Sequence, residues 1–181
     1  IHSGDPMCGQ RKQPSRRRSF VFAVPNLIAF SLAATTTTHA DIYRWDTGEV
    51  IPGTEGIELG PGLEMRGRRL EFGDLSQVNL AGSHFHNARL NSADLSHCIL
   101  TGAILDGANL TSANLSQAIL SRGYYSSATF SSANFTDAVL IATDLGFTRG
   151  FTKEQLYSTA SYKSRNLEGF GLWDADLSGW N

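Results

Sequence analysis

Residues 93–120 read ADLSHCILTGAILDGANLTSANLSQAIL, and a large apolar residue returns at every fifth place. Counting outward gives Leu70, Leu75, Leu80, Phe85, Leu90, Leu95, Leu100, Leu105, Leu110, Leu115, Leu120, Tyr125, Phe130, Phe135, Leu140 and Leu145, sixteen centres without a miss. Two residues before each centre from Leu75 onward stand Gly73, Val78, Ser83, Ala88, Ala93, Cys98, Ala103, Ala108, Ala113, Ala118, Gly123, Ala128, Ala133, Ala138 and Thr143. Nine of these fifteen are Ala, and only Val78 exceeds a small residue. The three other places of each five are mostly Ser, Thr, Asn, Asp, Gln and Gly.

A period of five fits neither the 3.6 of a helix nor the 2.0 of a long strand. The chain must therefore turn once per repeat. A backbone with a corner every five residues closes on itself after a few corners, and each turn then stacks on the previous one at about 4.8 Å. Side chains alternate faces along an extended segment, so the large centre and the small residue two before it share the inside. The centres from Leu75 to Leu145 form the candidate core.

The repeat resembles the pentapeptide-repeat family, whose motif is A(D/N)LXX. Ala93-Asp94-Leu95-Ser96-His97, Ala108-Asn109-Leu110-Thr111-Ser112, Ala113-Asn114-Leu115-Ser116-Gln117 and Ala133-Asn134-Phe135-Thr136-Asp137 match in full. The resemblance implies an all-β fold, a right-handed quadrilateral β-helix with four pentapeptides per coil. Over residues 68–147 that is about four coils, a rod roughly 20 Å long at the sheet spacing.

The flanks break the period. Residues 41–67 carry Gly, Pro, Tyr43 and Trp45 and read as an N-terminal cap, and Arg68, at an inward place, sets the start of regular coiling near Phe72. After Leu145, residues 148–164 form an insertion. Thr152 with Gln155 three later is a capping-box pattern, which predicts a short helix near 152–160. Centres return at Leu167, Leu172 and Leu177 within 165–181, a gap of 22 after Leu145 that is no multiple of five, so the insertion is expected to bulge outward. Trp180-Asn181 leads toward a centre beyond the last residue, and the array is expected to continue past it.

The chain has 181 residues, 41% apolar and 18% charged, a net charge of −2 and two cysteines. That is enough to bury one domain's core, and no apolar run reaches the ~18 residues of a spanning helix. The composition is uneven. Residues 11–18 (RKQPSRRR), 20–34 (FVFAVPNLIAFSLAA) and 35–40 (TTTTHA) read as a secretory signal peptide over residues 1–40, cleaved after Ala40. Arg17-Arg18-Ser19-Phe20-Val21 also resembles a twin-arginine signal, leaving general and twin-arginine export open. Without residues 1–40 the chain keeps 15 − 5 = 10 basic and 17 − 1 = 16 acidic residues, a net −6. Phosphate backbones and anionic membranes are poor partners for that charge. Cys98 is left alone, so no internal disulfide is expected.

With twenty residues per coil, residue n lies under n + 20. Asn79, Ile99, Ile119 and Val139 then form one outward column with Ile141 beside it, a candidate interaction stripe where the family motif places Asp or Asn. Two readings stay open: β-branched residues suit an extended side, or the stripe docks the 151–160 helix or another chain. Asp74, Asp94, Asn114 and Asn134 form a second column that reads as a hydrogen-bonding ladder. Its two acids fall short of a calcium site's six to eight oxygens. His84 and His86 are expected outward at opposite ends of one side, with His97 elsewhere, which gives zinc no converging ligands. Serines follow many centres, yet none has the His and acid of a nucleophilic triad in reach, and a smooth rod has no cleft.

No catalytic, cofactor-binding or metal residue and no cofactor is therefore expected. The leading function is a non-catalytic exported scaffold that binds a protein partner or itself, with no nucleic-acid partner and no span in the mature chain. The resemblance implies an alternative, since some pentapeptide-repeat proteins mimic B-form DNA and bind DNA gyrase. A third reading is a fragment of a larger enzyme. For the register itself, Leu110→Ala is expected to cost about 2–5 kcal/mol and Ser112→Ala under about 0.5, compared by thermal melting; equal effects would reject the inward assignment.

Overall fold

The computed structural model describes residues 39–175 and Trp180. Four columns of single-residue parallel bridges carry the fold. One runs Glu64–His84–Ile104–Tyr124–Asp144, the next Arg69–Arg89–Asn109–Thr129–Arg149, the third Asp74–Asp94–Asn114–Asn134 and the fourth Asn79–Ile99–Ile119–Val139. Every step is twenty residues, so the chain is a four-sided coil. The sides take their names here from their buried centres Phe85, Leu90, Leu95 and Leu100.

Each rung is held from both directions. Leu110 N donates to Thr129 O at 2.8 Å, and Thr129 N donates down to Ala108 O at 2.9 Å. Long strands do not form, because each side is only three residues long before the next turn. In that turn the small residue donates back to the preceding centre, as Ala108 N does to Leu105 O at 2.9 Å. Every fifth residue from Gly62 to Phe147 takes a φ between 52° and 74°. A positive φ at the second central residue is the mark of a type II turn, which favours Gly or Asn. Gly107 meets that preference, and a Cβ there would also strike the Asn87 side chain. Most other corners hold Ser, Gln, Asp or another side-chain residue in the left-handed region, a strain of about 1 kcal/mol each that the ladder overcomes.

The interior is one line of buried residues. The centres from Leu70 to Leu145 are at most 1% exposed, and the alanines two residues ahead of them at most 5%. Tyr125 shows how tight the space is. Its small neighbour is Gly123, where a Cβ would lie 2.5 Å from Tyr125 Cε2 and 2.8 Å from its hydroxyl. The Tyr125 hydroxyl is buried without a hydrogen-bond partner among the described residues, and burial pushes its pKa well up.

Coiling begins earlier than Arg68 suggests. Glu64 already bridges His84 and Met65 N donates to His84 O at 2.8 Å, while Arg68 turns its side chain outward toward Gly53. Below the first coil, Ile42 and Ile51 enter the core. The segment above them runs along the Leu95 side, with Asp74 N on Tyr43 O at 2.7 Å and Trp45 N on Phe72 O at 2.9 Å. A two-residue strand β1 (His39–Ala40) pairs antiparallel with β2 (Ile57–Glu58).

The insertion after Leu145 does not bulge outward. Helices α1 (Lys153–Ser158) and α2 (Ala160–Lys163) lie across the open end of the coil. Thr152 and Gln155 form a reciprocal capping box at the start of α1. Gln155 Nε2 then donates to Phe130 O and Ala133 O, both at 2.8 Å. Asp137 N donates to Ser158 O, Ala160 N to Ala138 O, and Leu140 N to Ser161 Oγ, each at 2.9 Å. These are the backbone positions a further coil would occupy, and unpaired edge groups are the reason the segment folds inward. Phe151 and Leu156 bury over the last apolar layer. Coiling resumes where Gly171 bridges Asp144, above the Phe85 side. Leu177 lies outside the described residues.

Gly123→Ala is expected to destabilise the fold by about 1–3 kcal/mol through overpacking. The loss should shrink when Tyr125 is also changed to Leu, and a double-mutant cycle by chemical unfolding measures that coupling.

Candidate interaction surface

The outward place just before each centre has a chemical task. Before the centres from Leu70 to Leu145, all seven Asp or Asn residues accept a hydrogen bond from the backbone N–H two residues on, which lies outside the coil ladder. Asp74 serves Ser76 at 3.1 Å, Asn79 Ala81 at 3.1 Å, Asp94 Ser96 at 3.0 Å and Asn109 Thr111 at 3.0 Å. Asn114 serves Ser116 at 3.2 Å, Asn134 Thr136 at 3.0 Å and Asp144 Gly146 at 2.8 Å. Side-chain carbonyls of Asp and Asn are suited to this local turn.

On the Leu100 side the same place holds Ile99, Ile119 and Val139. These are successive partners in one bridge column. No described residue accepts from the backbone N–H of Thr101, Ser121 or Ile141. The stripe thus gives up three turn hydrogen bonds that the motif residue would make, and it holds Ile99 at 39% and Ile119 at 37% exposure. Val139 and Ile141 are half-buried. The helices leave Ile99 and Ile119 open, because α1 and α2 pack on the coil end.

The charges fall elsewhere. Outward places on the Phe85 side include Glu64, Arg66, Asp106 and Asp144, on the Leu90 side Arg69, Glu71, Arg89 and Arg149, and on the Leu95 side Asp74, Asp94 and Asp137. The Leu100 side carries charge only at its corners, Arg122 at one edge and Asp137, 2.7 Å from Lys163, at the other. On the Leu95 side, Asn114 Nδ2 donates to Asp94 Oδ1 at 3.0 Å and Asn134 Nδ2 to Asn114 Oδ1 at 3.1 Å, so the column is a side-chain ladder. The same column arithmetic also places Ile104 beneath Tyr124 on the Phe85 side, with Tyr124 56% exposed. That pair is a second exposed apolar spot, on a different side from Ile99 and Ile119.

The two histidines stand at the two ends of the three-residue side centred on Phe85. Their ring centroids lie 5.7 Å apart, edge to face. His84 Nδ1 is 2.8 Å from Arg66 Nη2 and 2.8 Å from Glu64 Oε1, so an arginine occupies the ground between the potential ligands. Cys98 points inward, Sγ donating to Leu75 O at 2.8 Å, and burial pushes its thiol up to about 12. Ala40, the expected cleavage position, is the second residue of β1; the rest of the leader apart from His39 lies outside the described residues.

The family model for pentapeptide repeats matches residues 69–107 and 88–124, with eight copies. Residues 69–124 of the coil are thus similar to pentapeptide repeats. Among solved structures, a pentapeptide repeat protein of the cyanobacterium Cyanothece 51142 is 22% identical, over 63% of this chain and 90% of that one, with a TM-score of 0.45. A pentapeptide repeat protein of the Arabidopsis thaliana thylakoid lumen is 25% identical, over 59% of this chain and 62% of that one, with a TM-score of 0.23. Full-length QnrB1, a plasmid-mediated fluoroquinolone resistance protein, is 14% identical over 67% and 92%, with a TM-score of 0.22. No curated protein matches the chain. With all three TM-scores below 0.5, the four-sided coil rests on this chain's own bridge columns.

Because Asn at position 119 would accept from Ser121 N–H, Ile119→Asn is expected to stay within about 1 kcal/mol of the parent. The reverse change Asn114→Ile, which removes both a turn acceptor and a ladder rung, should lose about 1–3 kcal/mol. Thermal melting of the two variants checks the difference.

Proposed function

We propose that this chain is a non-catalytic, exported pentapeptide-repeat scaffold, a right-handed four-sided rod of about four coils whose Leu100 side engages another protein chain. The observation that carries the reading is the aliphatic column Ile99, Ile119 and Val139. It stands where Asp or Asn would complete the turn, so local stability alone does not account for it. An exposed apolar stripe on a rigid ladder is suited to burial against a partner.

Export rests on the leader's basic, apolar and small-residue order. Cleavage after Ala40 would give up the β1–β2 pairing, yet Asp41 Oδ1 would still accept from Gly56 N at 2.8 Å and Ile42 would keep its place in the core. The gyrase-binding alternative draws on the net −6 of residues 41–181. Against it, several carboxylates are already engaged: Glu71 lies 3.6 Å from Arg69 and 4.0 Å from Arg89, and Asp94 is tied into the asparagine ladder.

The test is a photo-reactive residue at position 119 in the expressed full chain, with a control at position 116 on the neighbouring side. An adduct with an identifiable protein from 119 alone is expected, and equal adducts or none from either position would reject the surface. Recovered exported protein should begin at Asp41 by N-terminal sequencing, and retention in the cytoplasm with residues 1–40 intact would reject export. Inhibition of gyrase supercoiling would favour the alternative.

A further inference from the structure

We infer that the partner of the Leu100 side is a second copy of this chain, docked side against side in coil register; the inference rests on reading that side as the interaction surface. The first support is spacing. Ile99, Ile119 and Val139 are joined by bonds that leave no freedom between rungs: Leu80 N to Ile99 O at 2.8 Å, Leu100 N to Ile119 O at 2.8 Å and Leu120 N to Val139 O at 2.9 Å. Their repeat is therefore the stacked-backbone spacing of about 4.8 Å. An extended strand lying along the rod repeats its same-face side chains at about 6.6–6.8 Å, and a helix repeats its turns at 5.4 Å. A second copy repeats at the same interval by construction, so every rung of one stripe meets a rung of the other.

The second support is charge. A two-fold contact sets a surface against itself, so any charge near the axis faces its own like. Three sides of the coil would meet that penalty. The Phe85 side would oppose its Glu64, Asp106 and Asp144, the Leu90 side its arginines, and the Leu95 side Asp74 and Asp94. The Leu100 side presents Asn79, Ala81, Ile99, Thr101, Ile119, Ser121, Val139 and Ile141, with Arg122 at one corner and Asp137, paired with Lys163, at the other. In a chain with sixteen acids and ten bases between Asp41 and Asn181, it is the side with the fewest like charges to set against each other.

The third support is relief. One row of its corners is Gly82, Gly102, Arg122 and Ala142, three of them too small to hold an approaching rod away, while Gln77, His97, Gln117 and Asp137 line the other edge. With the two-fold axis at the level of the middle rung, Ile119 meets its own counterpart, and Arg122 does so at the edge of the contact. The end of the coil is not available for the same purpose, because α1 and α2 already occupy its backbone groups.

The experiment is sedimentation equilibrium on the full chain and on Ile119→Asp. Aspartate is a motif residue at that place and accepts from Ser121 N–H, so the variant is expected to keep its melting profile. The parent should sediment as a dimer at micromolar concentration, and the variant should weaken the dimer by about 100-fold or more through like charges facing each other. In a Cys8→Ser background, Ile119→Cys should oxidise to a disulfide-linked dimer and Ser116→Cys should not. A parent that stays monomeric, or a dimer indifferent to Ile119→Asp, overturns self-pairing. If a monomeric parent still gives a photo-adduct from position 119 with a different protein, self-pairing falls while the interaction surface stands; if both readouts are blank, both fall.

Discussion

A narrow interior that admits one large and one small side chain per side governs this protein. The backbone returns to the same place after twenty residues and bonds there, Leu110 N to Thr129 O and Thr129 N to Ala108 O. That closure sets the width, and the width sets the residue sizes. Where the centre is Tyr125 instead of Leu, the partner shrinks from Ala to Gly123, because a Cβ would overlap the ring. The same closure holds serine, glutamine and aspartate corners at positive φ, a geometry those residues would leave if the neighbouring coils did not fix it.

A stacked coil has two ends, and both are covered here by segments that break the repeat. At one end Ile42 and Ile51 complete the apolar line, and Gly73 leaves space for them: a Cβ there would lie 3.1 Å from Ile51 Cδ1. At the other end Gln155 and the turn between α1 and α2 supply the donors and acceptors that another coil would have supplied. Both segments answer the same requirement, that buried and edge backbone groups find partners.

The outer surface follows a separate logic. Seven Asp and Asn side chains close the turns, and the Leu95 side adds a ladder of amides from Asp94 to Asn134. The Leu100 side departs from that pattern in three successive coils. The departure leaves an exposed aliphatic column with charges only at the corners beside it.

Period and offset are local facts, so the sequence by itself determined the inward residues, while the twenty-residue columns that align Ile99, Ile119 and Val139 followed from the resemblance to pentapeptide repeats. Thr152 and Gln155 were likewise legible, since a capping box spans three residues. What only the tertiary structure decided was where broken repeats go. Arg68 points away from the interior and so does not delay coiling, His84 and His86 meet edge to face around Phe85, and the insertion lies across the coil end. Each of these depends on contacts between residues distant in sequence, such as Gln155 with Phe130 and Ala133, and no periodicity encodes the backbone group that will be left unpaired until the coil beneath it has formed.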